Sequence, residues 1–171
     1  GRVSPEKGIQ DFLAAARLLP DVPFAVAGSE NGMPGLREES PANVRWLGFL
    51  QTDGLHELYR RSRIVVVPSR WYEGFPNVAV QAMAQARPVV AARIGAMTSV
   101  VDEERTGVFF EVCNPRDLAA KLRRLYADPR SCRTLGEAGR EKALRLYSRG
   151  SVYSALIAIY EKAVRHGRNL A

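Results

Sequence analysis

The sequence predicts an α/β fold, a parallel sheet flanked by helices and followed by a helical C-terminal segment, and three observations carry that expectation. Short β-rich apolar runs recur at 24–27, 44–47, 64–67, 88–92 and 108–110. Between them apolar residues return at helical spacing, which is the alternation of βα units. From Asn114-Pro115 onward the pattern is helical throughout.

Taken in order, the chain opens on Gly1-Arg2-Val3-Ser4-Pro5-Glu6-Lys7-Gly8, and its Ser4-Pro5-Glu6 turn opens a helix. Ile9, Phe12, Leu13 and Ala16 stand at i, i+3, i+4 and i+7 there, one buried stripe. A βα domain normally begins with a strand feeding such a turn, so a first strand is expected upstream of Gly1. Helices follow at 55–61, 77–85 and 98–101. Pro76 suits the first helical position of the second of these, because the N–H it lacks would have no partner inside the helix. In the last third, 117–126 and 133–147 read as helices, and Val152, Leu156, Ile159, Tyr160 and Ala163 mark one face of a final one. No internal repeat or Gly/Ser linker divides the chain, so residues 1–171 read as one domain.

Composition bounds the function. With 171 residues, 46% hydrophobic and 25% charged, the chain is ordinary globular material rather than a disordered or low-complexity segment. At this size roughly 70% of the unfolded surface can be buried without disulfides or metals. Cys113 and Cys132 form neither a disulfide framework nor a thiolate metal cluster, which suits a reducing compartment. No apolar run approaches the roughly 18 residues of a membrane span, and the N-terminus has no apolar signal region. The expectation is a cytoplasmic domain. The net charge of +7 is unevenly placed, with 12 basic and 13 acidic residues in 1–115 against 13 and 5 in 116–171. Such a segment can meet nucleic acid or an anionic bilayer through its charge. Only 4 of the 25 basic residues are lysines, however, so an arginine-heavy codon bias explains the excess equally well. No nucleic-acid partner is assigned, and a peripheral contact with the inner face of a membrane stays open.

The most informative stretch runs from Val65 to Met83 and contains Ser69-Arg70-Trp71-Tyr72-Glu73-Gly74-Phe75-Pro76-Asn77-Val78. A buried strand ends at Pro68, a loop follows, and a helix starts near Pro76. Backbone N–H groups around Asn77 and Val78 then point toward the C-terminal edge of the sheet, where doubly wound folds bind ligands and where a helix start favours an anion. Glu73 in the same loop sets a carboxylate beside that anion cradle, a pairing suited to sugar hydroxyls next to a diphosphate. The same residues also fit a solvated loop and a plain helix start.

The segment resembles the nucleotide-sugar signature of retaining GT-B glycosyltransferases of the family 4 type, which pairs Glu-Gly-Phe-Pro with a second Glu eight residues after the first. Gly1-Arg2-Val3-Ser4-Pro5-Glu6-Lys7-Gly8 resembles the opening of that family's C-terminal domain. Ala27-Gly28, Trp46-Leu47-Gly48, Ala86-Arg87-Pro88-Val89-Val90-Ala91, Ile94-Gly95-Ala96 and Arg105-Thr106-Gly107 follow in the family's order and spacing. The resemblance implies a Rossmann-like C-terminal half of a GT-B fold. It implies an acceptor domain preceding this chain, and sugar transfer from a nucleoside diphosphate sugar with retention and without a metal or other cofactor.

Carried over position by position, the resemblance implies that Arg2 and Lys7 neutralise the donor pyrophosphate, one as a fork and one as a point charge. Glu73 would hold hydroxyls of the transferred sugar, and backbone N–H groups of Gly74, Phe75, Pro76's neighbour Asn77, and Val78 would meet phosphate and sugar. Phe49 and Leu50 are candidates for the base pocket, although an apolar pair after a strand also fits the core. The family's second Glu falls here on Gln81. A carboxylate only accepts, whereas an amide offers one acceptor and two donors, so Gln81 would satisfy a ribose diol only in part. Ala86 and Ala96 stand where family members often carry glycine, and each is expected to crowd a close backbone approach.

Diphosphate departure is then the step that needs electrostatic help, which cations and a helix N-terminus supply where negative charge develops. No Gly-x-Ser-x-Gly elbow or Walker A loop is present. His56 and His166 read as surface residues, and Asp102-Glu103-Glu104 reads as a solvated acidic cluster. Three functions follow from these residues. The first is the donor-binding domain of a hexosyltransferase, whose acceptor (a sugar or a lipid-linked acceptor) is read by the other domain and which transfers little as an isolated fragment. The second is a non-catalytic nucleotide-sugar-binding or scaffolding module, degenerate at Gln81. The third is a basic interaction module acting through residues 116–171.

Overall fold

The computed structural model describes residues 2–29, 33 and 35–168, so Gly1 of the opening motif lies outside the described residues. A 3-10 turn, Pro5–Lys7, leads through Gly8 into α1 (Ile9–Arg17). Next come β1 (Phe24–Val26), β2 (Val44–Trp46), α2 (Thr52–Arg61), β3 (Val65–Val67), α3 (Asn77–Ala84), β4 (Val89–Ala92), α4 (Met97–Val100) and β5 (Gly107–Phe110). Three helices close the chain: α5 (Pro115–Ala127), α6 (Pro129–Tyr147) and α7 (Arg149–Arg168).

All five expected strands form, and every pairing is parallel. Val89↔Gly107 and Val65↔Val89 set the register of β3–β4–β5, and Phe24↔Val44 that of β1–β2. The sheet comes in two parts. Among the described residues β1–β2 and β3–β4–β5 are not hydrogen-bonded to each other, and residues of β1, β2 and β3 line a cleft of about 920 Å³.

Residue choice explains the layering. In β4, Val90 and Ala92 join the core beneath α1 and α5, while Val89 and Ala91 join the core beneath α3, α4 and α6. A parallel strand covered by helices on both faces must be apolar at every position, and β4 is. Phe12 of α1 meets Phe24 of β1 edge to face, with centroids 5.2 Å apart.

Helix starts depart from the expected boundaries where capping outweighs periodicity. α6 begins at Pro129 instead of 133 because Asp128 accepts from the backbone N–H groups of Arg130 and Ser131, and proline fits the first turn. α5 is opened in the same way by Asn114, which accepts from Asp117 N–H. Pro76 stands one position earlier than expected: it caps α3 rather than opening its first turn. Among the described residues no helix is long and apolar enough to cross a membrane.

Candidate active site

Two chain segments far apart in sequence meet at the end of the cleft where β1 and β3 finish. The first is the N-terminal turn, held to the residues after β1 by Val3 N–H donating to Ser29 C=O at 3.0 Å. The second is the loop after β3, whose Arg70 N–H donates to Glu6 C=O at 2.9 Å. Between them Gly8 adopts the left-handed conformation at φ +71°, and a Cβ there would lie 1.8 Å from Pro68 O. Only glycine lets the turn lie this close against the end of β3.

This contact brings Lys7 and Glu73 together. Lys7 Nζ is 3.0 Å from Glu73 Oε1, with both side chains partly exposed. Ser69, buried at the end of β3, donates its hydroxyl to the same oxygen. Oε1 is therefore held twice, while Oε2 has no hydrogen bond among the described residues. Arg2 lines the same cleft, and its guanidinium makes no ion pair among the described residues. A lysine ammonium has three donors, so Lys7 can keep its carboxylate partner and still reach an oxyanion. Arg2 and Lys7 thus bring two cations to the lining of the cleft and Glu73 one oriented carboxylate, with Lys7 and Glu73 paired to each other.

The loop itself is braced from behind. Asp11 of α1 is buried and accepts from Arg70 Nη2 at 2.7 Å and Nε at 2.8 Å. That hydrogen bond to Asp11 also holds the Arg70 guanidinium above its ordinary pKa. Neither the buried Asp11 nor the Arg70 fork was visible as a pair in the sequence, 59 positions apart. Asp11 stands off the Ile9, Phe12, Leu13 and Ala16 stripe of α1, so the helical period gave no sign that it would be buried.

The α3 end is partly as expected. Gly74 and Asn77 are exposed, Phe75 is half-exposed against Tyr147 with centroids 5.6 Å apart, and Val78 lines the cleft. Asn77 N–H, expected to be available, already donates to Phe75 C=O at 3.0 Å. Gln81 sits one turn further on, where the Tyr59 hydroxyl donates to its Oε1 at 3.2 Å. Tyr59 is buried, and burial pushes its hydroxyl up to about 12, so it acts there as a donor. Gln81 thus has one lone pair of its acceptor oxygen engaged, and its amide keeps two donors.

Other expectations need correction. Phe49 is 71% exposed, so it is not core, and neither Phe49 nor Leu50 lines the cleft. The acidic trio is not simply solvated: Asp102 pairs with the buried Lys142 at 2.7 Å, Glu104 with Arg124 at 2.6 Å, and Glu103 with Arg93. These partners also absorb part of the basic excess of the C-terminal segment. Ala86 needs left-handed backbone, at φ +54°, while the close approach belongs to Gly136, whose Cβ would lie 2.2 Å from Ala86 O. Ala96 has ordinary helical dihedrals, so the absence of glycine costs the backbone nothing there.

The chain is similar to proteins of one known family. Residues 1–142 match the family model described as glycosyl transferases group 1. Alpha-maltose-1-phosphate synthase of Mycolicibacterium smegmatis is 31% identical over 181 residues, covering 95% of this chain and 46% of the relative. The solved sucrose-phosphate synthase of Thermosynechococcus elongatus superposes with a TM-score of 0.88 at 29% identity, covering 97% of this chain and 44% of that one. The C-terminal domain of a group 1 family glycosyl transferase (LpcC) from Francisella tularensis superposes at 0.76 with 25% identity, covering 87% of this chain and 84% of that one. The chain thus spans less than half the length of the synthase relatives, but most of a domain solved separately.

Proposed function

Because the chain belongs to the glycosyl transferases group 1 family, with the α/β architecture of a GT-B C-terminal domain, we propose that residues 1–171 are the nucleotide-sugar-binding domain of a hexosyltransferase. The observation that carries the reading is the convergence of Arg2, Lys7 and Glu73 on one cleft mouth, with Lys7 Nζ 3.0 Å from Glu73 Oε1. In this reading the donor's diphosphate lies against Arg2 and Lys7, and the transferred sugar turns its hydroxyls toward Glu73 Oε2. Gly74, Phe75, Asn77 and Val78 form the loop and helix start over the phosphate and sugar, behind the Pro76 cap. Gln81 faces the ribose. Phe49 and Leu50, away from the cleft, serve the base only at its outer edge.

Transfer is retaining and needs no metal. As the bond from the anomeric carbon to the diphosphate breaks, negative charge grows on the leaving oxygen. The two cations are already in place to meet it, which lowers the barrier without reorganisation. Ser69 and Lys7 hold Glu73 by Oε1, so the carboxylate is oriented toward the sugar hydroxyls. The acceptor, a sugar or lipid-linked sugar, is read by a domain preceding this one, and the isolated domain binds nucleotide but transfers little. The protein works in the cytoplasm, with a peripheral contact to the inner membrane face when the acceptor is lipid-linked.

A second reading rests on Gln81. Its acceptor oxygen already takes one hydrogen bond from Tyr59, and an amide satisfies a ribose diol less fully than a carboxylate, which favours a binding module without turnover. One experiment addresses the shared premise. A thermal-shift panel of UDP, GDP and ADP should show one nucleotide stabilising the domain, by about 2.7 kcal/mol at ~100 times its dissociation constant. No shift with any of the three, or an undiminished shift in Lys7→Met, would sink both readings.

A further inference from the structure

Asp11 and Arg70 sit behind the site and do not line the cleft. Each belongs to one of the two segments that meet there. Asp11 follows Lys7 by four residues across the Gly8 contact, and Arg70 precedes Glu73 by three in the loop after β3. Their bond is two-pronged, 2.7 Å and 2.8 Å, with the Asp11 carboxylate almost wholly buried. Arg70 N–H adds a third link, to Glu6 C=O. A buried ion pair is weak support for stability, because desolvation offsets its attraction. A fork of two parallel bonds does, however, fix distance and angle together.

We propose that Asp11 and Arg70 are positioning residues whose buried fork clamps the Lys7 turn against the Glu73 loop and so sets the spacing of the cation and carboxylate that would grip a nucleotide sugar. The clamp rests on the site reading above only for its ligand; the spacing itself is measurable without one. Releasing the fork lets the loop slide along the turn, and Lys7 then pairs with Glu73 only part of the time.

The test is zero-length carbodiimide crosslinking, which joins a lysine amine to a neighbouring carboxylate as an amide with loss of water, followed by peptide mass spectrometry. The Lys7–Glu73 link is scored against the Lys142–Asp102 link in the same sample, since that pair is 2.7 Å apart and lies on other elements. Asp11→Asn removes the charge with little change of shape, and Arg70→Lys keeps the charge but loses the fork. Both variants should lower the Lys7–Glu73 yield relative to the control link and weaken UDP binding in calorimetry by about tenfold, the scale of one lost hydrogen bond to a charged group. An unchanged ratio with only a lower melting temperature overturns the clamp. Loss of both links together also counts against it, because the pair would then be a determinant of folding as a whole. A fallen ratio in a chain whose wild type binds no nucleoside diphosphate leaves the clamp standing and removes the nucleotide reading.

Discussion

Replacing Gly8 with alanine tests the joint on which the site is built. Two penalties add at this position. The first is conformational: at φ +71° an L-residue pays on the order of 1–2 kcal/mol relative to glycine. The second is steric. The new Cβ would lie 1.8 Å from Pro68 O, whereas real Cβ contacts essentially never fall under 3.0 Å, so the turn and the end of β3 must separate by over 1 Å. That shift stretches the Arg70 N–H to Glu6 C=O bond beyond hydrogen-bonding range, about 1 kcal/mol, and the displaced packing costs about 1–2 kcal/mol more. The sum is roughly 3–5 kcal/mol. Gly48→Ala is the control, because Gly48 has φ +66° and no other heavy atom within 4 Å of its Cβ position among the described residues. It carries the conformational penalty alone, about 1–2 kcal/mol. Urea denaturation of the two variants beside the wild type measures the difference. If Gly8→Ala lies within about 0.5 kcal/mol of Gly48→Ala, the close approach is not what holds the two segments together, and the argument for a preformed site fails.

Three further outcomes follow from the geometry. Ala86→Gly relieves the left-handed strain at φ +54° and should stabilise the domain by about 0.5 kcal/mol, whereas Ala84→Gly in α3 should destabilise it by a similar amount; equal signs in urea melts would refute this. Gln81→Glu restores an acceptor beside Tyr59, so UDP affinity should rise about fivefold in calorimetry while inorganic pyrophosphate affinity stays constant; a matching rise with pyrophosphate would trace the effect away from the ribose. Asp128 caps α6, and the Ser131 side-chain and backbone hydrogen bonds hold its carboxyl below the ordinary value. Its contribution is therefore complete above about pH 4 and lost as the pH falls through the lower folded-state value. Asp128→Ala should lower the melting temperature at about pH 7 clearly more than at about pH 2, and an equal drop at both would contradict the assignment.

Much of this protein was legible without coordinates, for a local reason. The five strands are short apolar runs whose residues are buried on one or both faces, and that requirement writes itself into composition at each position, as Val89 to Ala92 show. The helix stripe of Ile9, Phe12, Leu13 and Ala16 is legible for the same reason, since its spacing is set by near neighbours in the chain. The candidate site was legible as a set of residue types, because Arg2, Lys7 and Glu73 belong to motifs that recur in a fixed order.

What the linear chain left open were the encounters. Lys7 against Glu73, Asp11 against Arg70, Lys142 against Asp102 and Tyr59 against Gln81 join residues from 22 to 66 positions apart. Whether a surface charge is solvated or paired depends on which remote element arrives beside it, and no local period encodes that. Asp102, Glu103 and Glu104 read as solvated for this reason and prove to be ion-paired, and Phe49, whose apolar side chain also fits a core, is left in water by the packing. Local sequence determined which segments form strands and helices, because burial and hydrogen bonding act on neighbours. Only the tertiary structure decided how a glycine without a side chain lets one turn touch one strand end, and that contact brings two distant charges together.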